Sequence, residues 1–480
     1  MLINAEILKQ FDNFHLVVDY IDSTGKNIHM DEVLPNEYCY EWNICKTKSQ
    51  KEKADPIFKN WNDKSVFKNY NIKRISKGRV FDYMIREMDK NLSDMIFSYE
   101  IPKKFFCDIE TQITEKLDPL NPTGMVETIS LVSGVNVWLF GLKPIEDSDV
   151  KYIQDNINKY FLKYNETYKV KYKQFEDEKE MIYYFFFKLV PKIPFITGWN
   201  FVDFDWTYLV SRARILGLNI DKAFRNKYNP FIYNSFLPKD MIVCDYMDIF
   251  DQYDKSIKTK RSLKLDDVAE QVVGAKKIEY DGNLNQLYDN DFVKFLYYNA
   301  VDSILCKLID FETNCVDLKF SLSTLNKISF YKTESKVPCG ELLLQNAFLE
   351  YKNKLFIKDD SIEIEEKNIS GGYVKEPKPA YYEDICVLDF SSLYPSIIRQ
   401  FNVSPETYLG QKDDIKDFDN LNKDDLIIMK STSVYKKEDG VLPTLLTDIY
   451  NRRKQIQKQS LEDEKNLLEI ENFLKKKGIK

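Results

Sequence analysis

Two acids separated by one residue inside an apolar run set the hardest condition this chain has to meet. The run is Phe105-Phe106-Cys107-Asp108-Ile109-Glu110-Thr111, and it reads as a strand entering a core. Side chains alternate along a strand, so Asp108 and Glu110 point to the same face. Two neighbouring carboxylates on a buried strand repel each other strongly unless a cation sits between them. The alternative is an edge strand with both acids in water, and the Phe-Phe-Cys lead argues against it. Residues 126–132 and 135–140 read as paired strands of the same sheet, with Ser133-Gly134 as the turn.

More carboxylates follow in patterned surroundings. After a helical segment at 181–190, residues 194–200 read as a buried strand containing Gly198, followed by Phe204-Asp205. An apolar helix pattern then runs through Tyr208, Leu209, Ala213 and Leu216. Asp205 therefore lies near a strand-to-helix junction, where a plain N-cap is the bland alternative. Residues 292–308 form a helical run carrying Tyr298-Asn299-Ala300-Val301-Asp302. Tyr298 and Asp302 share a helix face, as an ordinary surface pair would too.

Composition narrows the class. The 480 residues are 44% hydrophobic and 30% charged, enough for about three folded domains. A net charge of −7 argues against indiscriminate coating of DNA but not against a DNA enzyme with local cations. The eight cysteines form no CxxC pair, which disfavours a zinc or iron–sulfur site and fits a reducing compartment. His15 and His29 are the only histidines, so the middle and end of the chain hold no Ser-His-Asp triad. The N-terminus carries no secretory pattern, and the apolar run 181–187 is too short to span a bilayer. A cytoplasmic protein without a membrane segment is expected.

A second stretch, Ile385 to Gln400, reads ICVLDFSSLYPSIIRQ. Its apolar start predicts a strand over 385–388 that delivers Asp389 at its end and then turns into a helix start. Such an Asp can hold a divalent cation while the N–H groups after it face an anion. A buried strand with an Asp N-cap is the alternative. Residues 411–439 read as a variable insertion, and Gly440-Val441-Leu442-Pro443 opens a long amphipathic helix.

The string Asp389-Phe390-Ser391-Ser392-Leu393-Tyr394-Pro395-Ser396-Ile397-Ile398 resembles motif A of the family B DNA polymerases. The run 401–407 and the YIDSTGK segment at 20–26 look like the T-even-type phage branch of that family. The resemblance implies a mixed α/β multi-domain chain: a small N-terminal α/β domain at 1–104 with a return segment at about 315–360, a ribonuclease H-like 3′–5′ exonuclease domain at 105–314, the first part of an α+β palm at 361–440, and the first helical fingers region at 441–480. Ser370-Gly371-Gly372 resembles the family's linker between modules, although a turn before a strand serves equally well physically. Asp108, Glu110, Asp205, Tyr298 and Asp302 occur in the order of the family's three exonuclease motifs, of the tyrosine-containing kind.

By resemblance, Asp108, Glu110 and Asp302 hold the tighter of two ions, Asp108 bridges to the second, Asp205 reaches that one through water, and Tyr298 orients the attacking water. The cofactors implied are Mg²⁺ or Mn²⁺, two ions per active site. Lys277 aligns with a basic residue near this site, with surface solvation as the alternative. Asp389 is implied as a metal ligand for the incoming dNTP, with Phe390, Ser391, Ser392, Leu393 and Tyr394 around the nucleotide. Tyr394 would exclude a 2′-hydroxyl, and Arg453 would bind the triphosphate; the family's next cation falls on Gln457 here. The motif B helix, the Asp-Thr-Asp motif and the thumb are missing from the sequence. Polymerisation is therefore expected to need a partner chain, or the missing C-terminal half. Expected partners are primer-template DNA, single-stranded 3′ ends, dNTPs and that second chain. The competing expectation is a template-binding or assembly subunit of a split polymerase, with an inactive, structural exonuclease domain.

Overall fold

The computed structural model describes residues 1–10, 13–70, 84, 87–98, 101–114, 117–225, 231–232, 235–254, 262–352, 354–356, 373–390, 392–416 and 418–477. They fall into two compact units. One comprises Met1–Cys39 and Ile72–Cys339, the other Tyr40–Asn71 and Gly340–Lys480.

The first unit opens with an antiparallel sheet of β1 (Leu2–Gln10), β2 (Asn13–Ile21) and β3 (Asn27–Val33). The predicted turn at 22–25 closes β2 onto β3. Asp22 Oδ1 accepts from the N–H of Thr24 at 2.9 Å and of Lys26 at 3.0 Å, and Gly25 supplies a φ of 76°.

The centre of this unit is a six-stranded sheet. Its strands are β4 (Lys104–Thr111), β5 (Val126–Ser133), β6 (Asn136–Gly141), β7 (Lys169–Gln174), β8 (Phe195–Gly198) and β9 (Ile242–Asp245). They lie in the order β7-β6-β5-β4-β8-β9. β4, β5 and β6 run antiparallel in succession, while β7, β8 and β9 are each parallel to the inner neighbour. β4 is thus interior to the sheet, not an edge.

Both faces of the sheet are covered. On one, Phe106, Leu139 and Ile242 join Leu296, Val301 and Leu308 of the helix Phe292–Thr313. On the other, Cys107, Ile109 and Val243 join Ile182, Leu209 and Val210 from the helices Glu178–Tyr184 and Thr207–Ile215. Strand alternation therefore puts Asp108 and Glu110 on the face of Phe106, towards the helix Phe292–Thr313. That helix is capped by Asp291, whose Oδ1 accepts from Lys294 N at 2.9 Å, and it ends at Asn314 in the left-handed conformation. It is buried over most of its circumference from Phe295 to Asp310.

In the second unit, the strands Glu41–Ile44 and Val66–Asn69 pair antiparallel, and Lys354–Leu355 pairs with Lys59–Asn60. The sequence predicts a helix over 339–354, and the structure has one at Lys336–Lys352. The segment 411–439 is organised: Tyr408–Gln411, Leu426–Ile428 and Ser433–Lys436 form a three-stranded sheet. The predicted long helix runs Val441–Lys476. Its first turn is capped from the segment after the helix Leu393–Gln400. Asn402 Oδ1 accepts from Gly440 N at 2.9 Å, Glu406 Oε1 from Val441 N at 2.6 Å, and Ser404 Oγ from Leu442 N at 3.2 Å. These contacts satisfy N–H groups that a helix start leaves without partners.

One expectation is corrected. No strand forms over 385–388: residues 373–390 carry no regular structure, and Ile385, Val387 and Leu388 are exposed. A strand is made by its neighbours, and among the described residues none pairs with this run. Ser370-Gly371-Gly372 lie outside the described residues.

Gly198 marks the tightest backbone approach at the end of β8. A Cβ there would sit 2.2 Å from the carbonyl oxygen of Cys107. Gly198→Ala is expected to destabilise the protein by about 1–3 kcal/mol through forced displacement of β4 against β8, measured by urea unfolding.

Candidate active site and metal centre

β4 is interior to its sheet, and the helix Phe292–Thr313 lies over the face to which its two acids point. Carboxylate oxygens of Asp108, Glu110 and Asp302 converge, all within 4.8 Å of one another. Asp302 reaches them from the helix Phe292–Thr313, one turn after Tyr298. It is 2% exposed, and its Oδ1 is buried without a hydrogen-bond partner. An orphaned carboxylate oxygen in a cluster of acids is the feature a bound cation would satisfy.

Asp205 approaches from another element. It lies in a single π-helical turn, Val202–Trp206, between β8 and the helix Thr207–Ile215. Its Oδ1 accepts from the N–H of Ile109 at 2.9 Å, the residue between the two acids of β4. The turn itself is held by Asp245 at the end of β9. Asp245 Oδ1 accepts from Asn200 N and Oδ2 from Val202 N, each at 3.1 Å. Asn200 takes a φ of 57°, which an Asn tolerates better than most residues.

Two further side chains complete the recess. Lys277 Nζ lies 2.6 Å from Asp302 Oδ2 and 3.4 Å from the Tyr298 hydroxyl. Its backbone N–H is anchored on Asp266 Oδ1 at 2.7 Å. Surface solvation is therefore not the role of Lys277. Asn299 donates from Nδ2 to Asp108 Oδ2 at 2.7 Å. Sequence reasoning gave Asn299 no role. The available signal was a polar residue beside Tyr298 in a helix that is otherwise mostly apolar around that point.

The electrostatics follow from crowding four acids into a buried place. Burial, then the charge of Asp302, pushes Asp108 up to about 8, against the opposing pull of Lys277 and Asn299. Burial and the charge of Asp108 hold Glu110 and Asp205 well above the usual carboxylate range. Burial raises Asp302 as well, and Lys277 counters it. Burial pulls Lys277 down, but the neighbouring carboxylates, Asp302 first, outweigh this and raise it above its ordinary range. Carboxyls that resist ionisation in the bare protein are what a strongly cation-dependent site produces.

The remaining predicted site residues belong to the other compact unit. Asp389 and Phe390 are exposed in the irregular stretch, and Ser391 lies outside the described residues. Ser392 has a φ of 52° and precedes the helix Leu393–Gln400, so Leu393 and Tyr394 occupy its first turn. Tyr394 is exposed. Arg399 ties this helix to the long one, donating from Nε to Thr447 Oγ1 at 3.0 Å with its guanidinium 4.7 Å from the Tyr450 ring centre. Arg453 is exposed, three residues beyond Tyr450.

The family model for the exonuclease domain of DNA polymerase family B matches residues 65–268, and that for DNA polymerase family B matches residues 330–476. Together they cover well over half the chain. The chain belongs to the family B DNA polymerases.

Among the family's members, the DNA-directed DNA polymerase of Escherichia phage RB69 is 30% identical over 305 residues, 60% of this chain and 33% of the relative. That of Enterobacteria phage T4 is 28% identical over 326 residues, 64% of this chain and 36% of the relative. DNA polymerase 2 of Aeropyrum pernix is 25% identical over 230 residues, 44% of this chain and 26% of the relative. The matched part thus spans about a third of the length of the two phage polymerases. Among the described residues, no helix of this family B chain is long and apolar enough to cross a membrane.

The raised carboxyls give a test in stability. Asp108 keeps its proton up to about pH 8 in the folded protein but loses it near its ordinary 3.8 when unfolded. Between those values the folded state binds the extra proton, so stability falls as pH rises through that window. In chelator, the melting temperature should fall from about pH 4 to about pH 8, and Mn²⁺ should remove most of that fall, as read by a thermal melt across pH.

Proposed function

We propose that this chain carries the 3′–5′ proofreading exonuclease and the first half of the polymerase site of a phage-type replicative DNA polymerase. The observation that supports it is the convergence of Asp108, Glu110 and Asp302 on one buried point, with Asp302 Oδ1 unpartnered. The order and pairing of the central sheet suit a ribonuclease H-like domain at 105–314. We keep the four-part division expected from the sequence as part of this proposal.

The residues fit a hydrolytic site for phosphodiesters. Two Mg²⁺ or Mn²⁺ ions would activate a water molecule and stabilise the leaving 3′ oxygen. Asp108, Glu110 and Asp302 would hold the tighter ion, and Asp205 would serve the second from its turn. Tyr298 would orient the attacking water with its hydroxyl. Lys277 would keep Asp302 ionised and hold positive charge beside the scissile phosphate.

The nucleotide-binding half is assigned to Asp389, Phe390, Ser391, Ser392, Leu393 and Tyr394, with Arg453 on the triphosphate. Nucleotidyl transfer needs a second carboxylate beside Asp389, because one Asp cannot place two cations against the phosphates. We assign that carboxylate to a C-terminal palm, whether on a longer polypeptide or on a partner chain. The enzyme would act in the host cytoplasm on primer-template DNA and dNTPs.

The purified chain should shorten single-stranded DNA from the 3′ end with Mg²⁺ or Mn²⁺ and should not extend a primer. The double variant Asp108→Ala, Glu110→Ala should lose the hydrolysis and keep DNA binding, followed by gel analysis of a 5′-labelled strand and by anisotropy. Equal inactivity of both proteins, with both still binding DNA, would instead mark the chain as a template-binding or assembly subunit.

A further inference from the structure

We propose that Asn299 is a positioning residue that fixes the rotation of the Asp108 carboxylate, locked in turn by Thr128, and so sets which oxygen Asp108 gives to a cation. The proposal rests on the reading of this recess as a metal site. Asn299 and Thr128 are both fully buried. Asn299 Nδ2 donates to Asp108 Oδ2 at 2.7 Å, while Thr128 Oγ1 donates to Asn299 Oδ1 at 3.1 Å. The three side chains form one directed series from β5, through the helix Phe292–Thr313, to β4.

The direction of that series is forced. An Asn amide offers donors at one end and an acceptor at the other. With Asp108 ionised, the form that holds a cation, flipping it would set Oδ1 against a carboxylate oxygen, two acceptors with no proton between them. The Thr128 hydroxyl donates to the opposite end and so completes the amide's bonds in the orientation that Asp108 selects. The helix is held at the same level: Ser130 Oγ donates to the Asn299 carbonyl oxygen at 3.0 Å and lies 2.5 Å from Ser303 Oγ. A carboxylate with no tether swings about its terminal torsion, which is broad and nearly two-fold. Once Oδ2 is tied, that torsion is fixed before any ion arrives. Ordering Asp108 in advance removes a cost from cation binding, and partners behind a metal ligand characteristically act in this way.

The test uses the full chain, with Mn²⁺ as the probe. Mn²⁺ binding is measured by calorimetry without DNA, and the metal dependence of single-strand hydrolysis is measured separately. Asn299→Ala should raise both midpoints by roughly 10- to 100-fold, with hydrolysis recovering towards wild type at saturating Mn²⁺. Thr128→Val leaves the Asn299–Asp108 contact but frees the amide to turn, so it should shift both midpoints in the same direction and by less. A purely structural role would lower the melting temperature without moving the midpoints. Midpoints of Asn299→Ala that match wild type overturn the proposal. Should that variant fail to fold, unchanged midpoints in Thr128→Val overturn it instead. If the wild-type chain binds Mn²⁺ but hydrolyses nothing, the exonuclease reading fails, while the calorimetric midpoints still decide the role of Asn299.

Discussion

Repulsion among carboxylates is the constraint around which the first unit is built. Two unit charges 4 Å apart repel by about 4 kcal/mol at the effective dielectric of a protein surface, and burial adds the loss of hydration. Asp108, Glu110 and Asp302 accept that penalty together. The chain offsets part of it with groups aimed at single oxygens: Lys277 on Asp302, Asn299 on Asp108, and the N–H of Ile109 on Asp205. What remains unmet is the space between the acids. A site with this residual charge favours cations strongly, and its protons are the weaker substitute when cations are absent.

Rigid elements make the arrangement possible. β4 is held by neighbours on both sides and its acid face lies under the helix Phe292–Thr313, so the backbone that carries Asp108 and Glu110 cannot shift to part them. The helix Phe292–Thr313 is buried over most of its surface, so it cannot roll to move Asp302 away. Asp205 needs a sharper device, because the chain must leave β8 and enter a helix within a few residues. Gly198 lets β8 approach Cys107, Asn200 takes the left-handed conformation, and Asp245 gathers the freed N–H groups. Asp245 is itself pushed up to about 7 by burial and by Asp248, despite the N–H groups that favour its charge. The turn that presents one acid thus depends on a second acid, which is raised as well.

Much of this was legible in the sequence, where periodicity and chemistry coincide. Alternation placed Asp108 and Glu110 on one face, and helical spacing placed Tyr298 with Asp302. Two cases were not legible in local pattern, for different reasons. Lys277 sits in a Lys-Lys-Ile-Glu context that by itself reads as solvated surface; the family resemblance alone pointed it to this site, and the fold brings its ammonium to Asp302. Asn299 has no distinguishing period, since its partner Thr128 is distant in sequence and on another element. The run 385–388 failed in the opposite direction. Its apolar residues suit a strand, but strand formation is settled by what lies alongside, which a local pattern does not contain.

The second unit separates firm structure from conditional structure in the same way. The segment from Asn402 to Glu406 caps the long helix, and Arg399 joins the helix Leu393–Gln400 to it through Thr447 and Tyr450. Tyr394 and Arg453 are therefore carried on elements braced against each other. Asp389 has no such support. The residues leading to it, Ile385, Val387 and Leu388, are 69–91% exposed. Apolar side chains in that state gain free energy when covered, at about 25 cal/mol per Å² of surface buried, and an extended backbone gains hydrogen bonds when a strand lies beside it. The same covering that makes this run a strand would also give Asp389 a fixed place beside the helix it precedes.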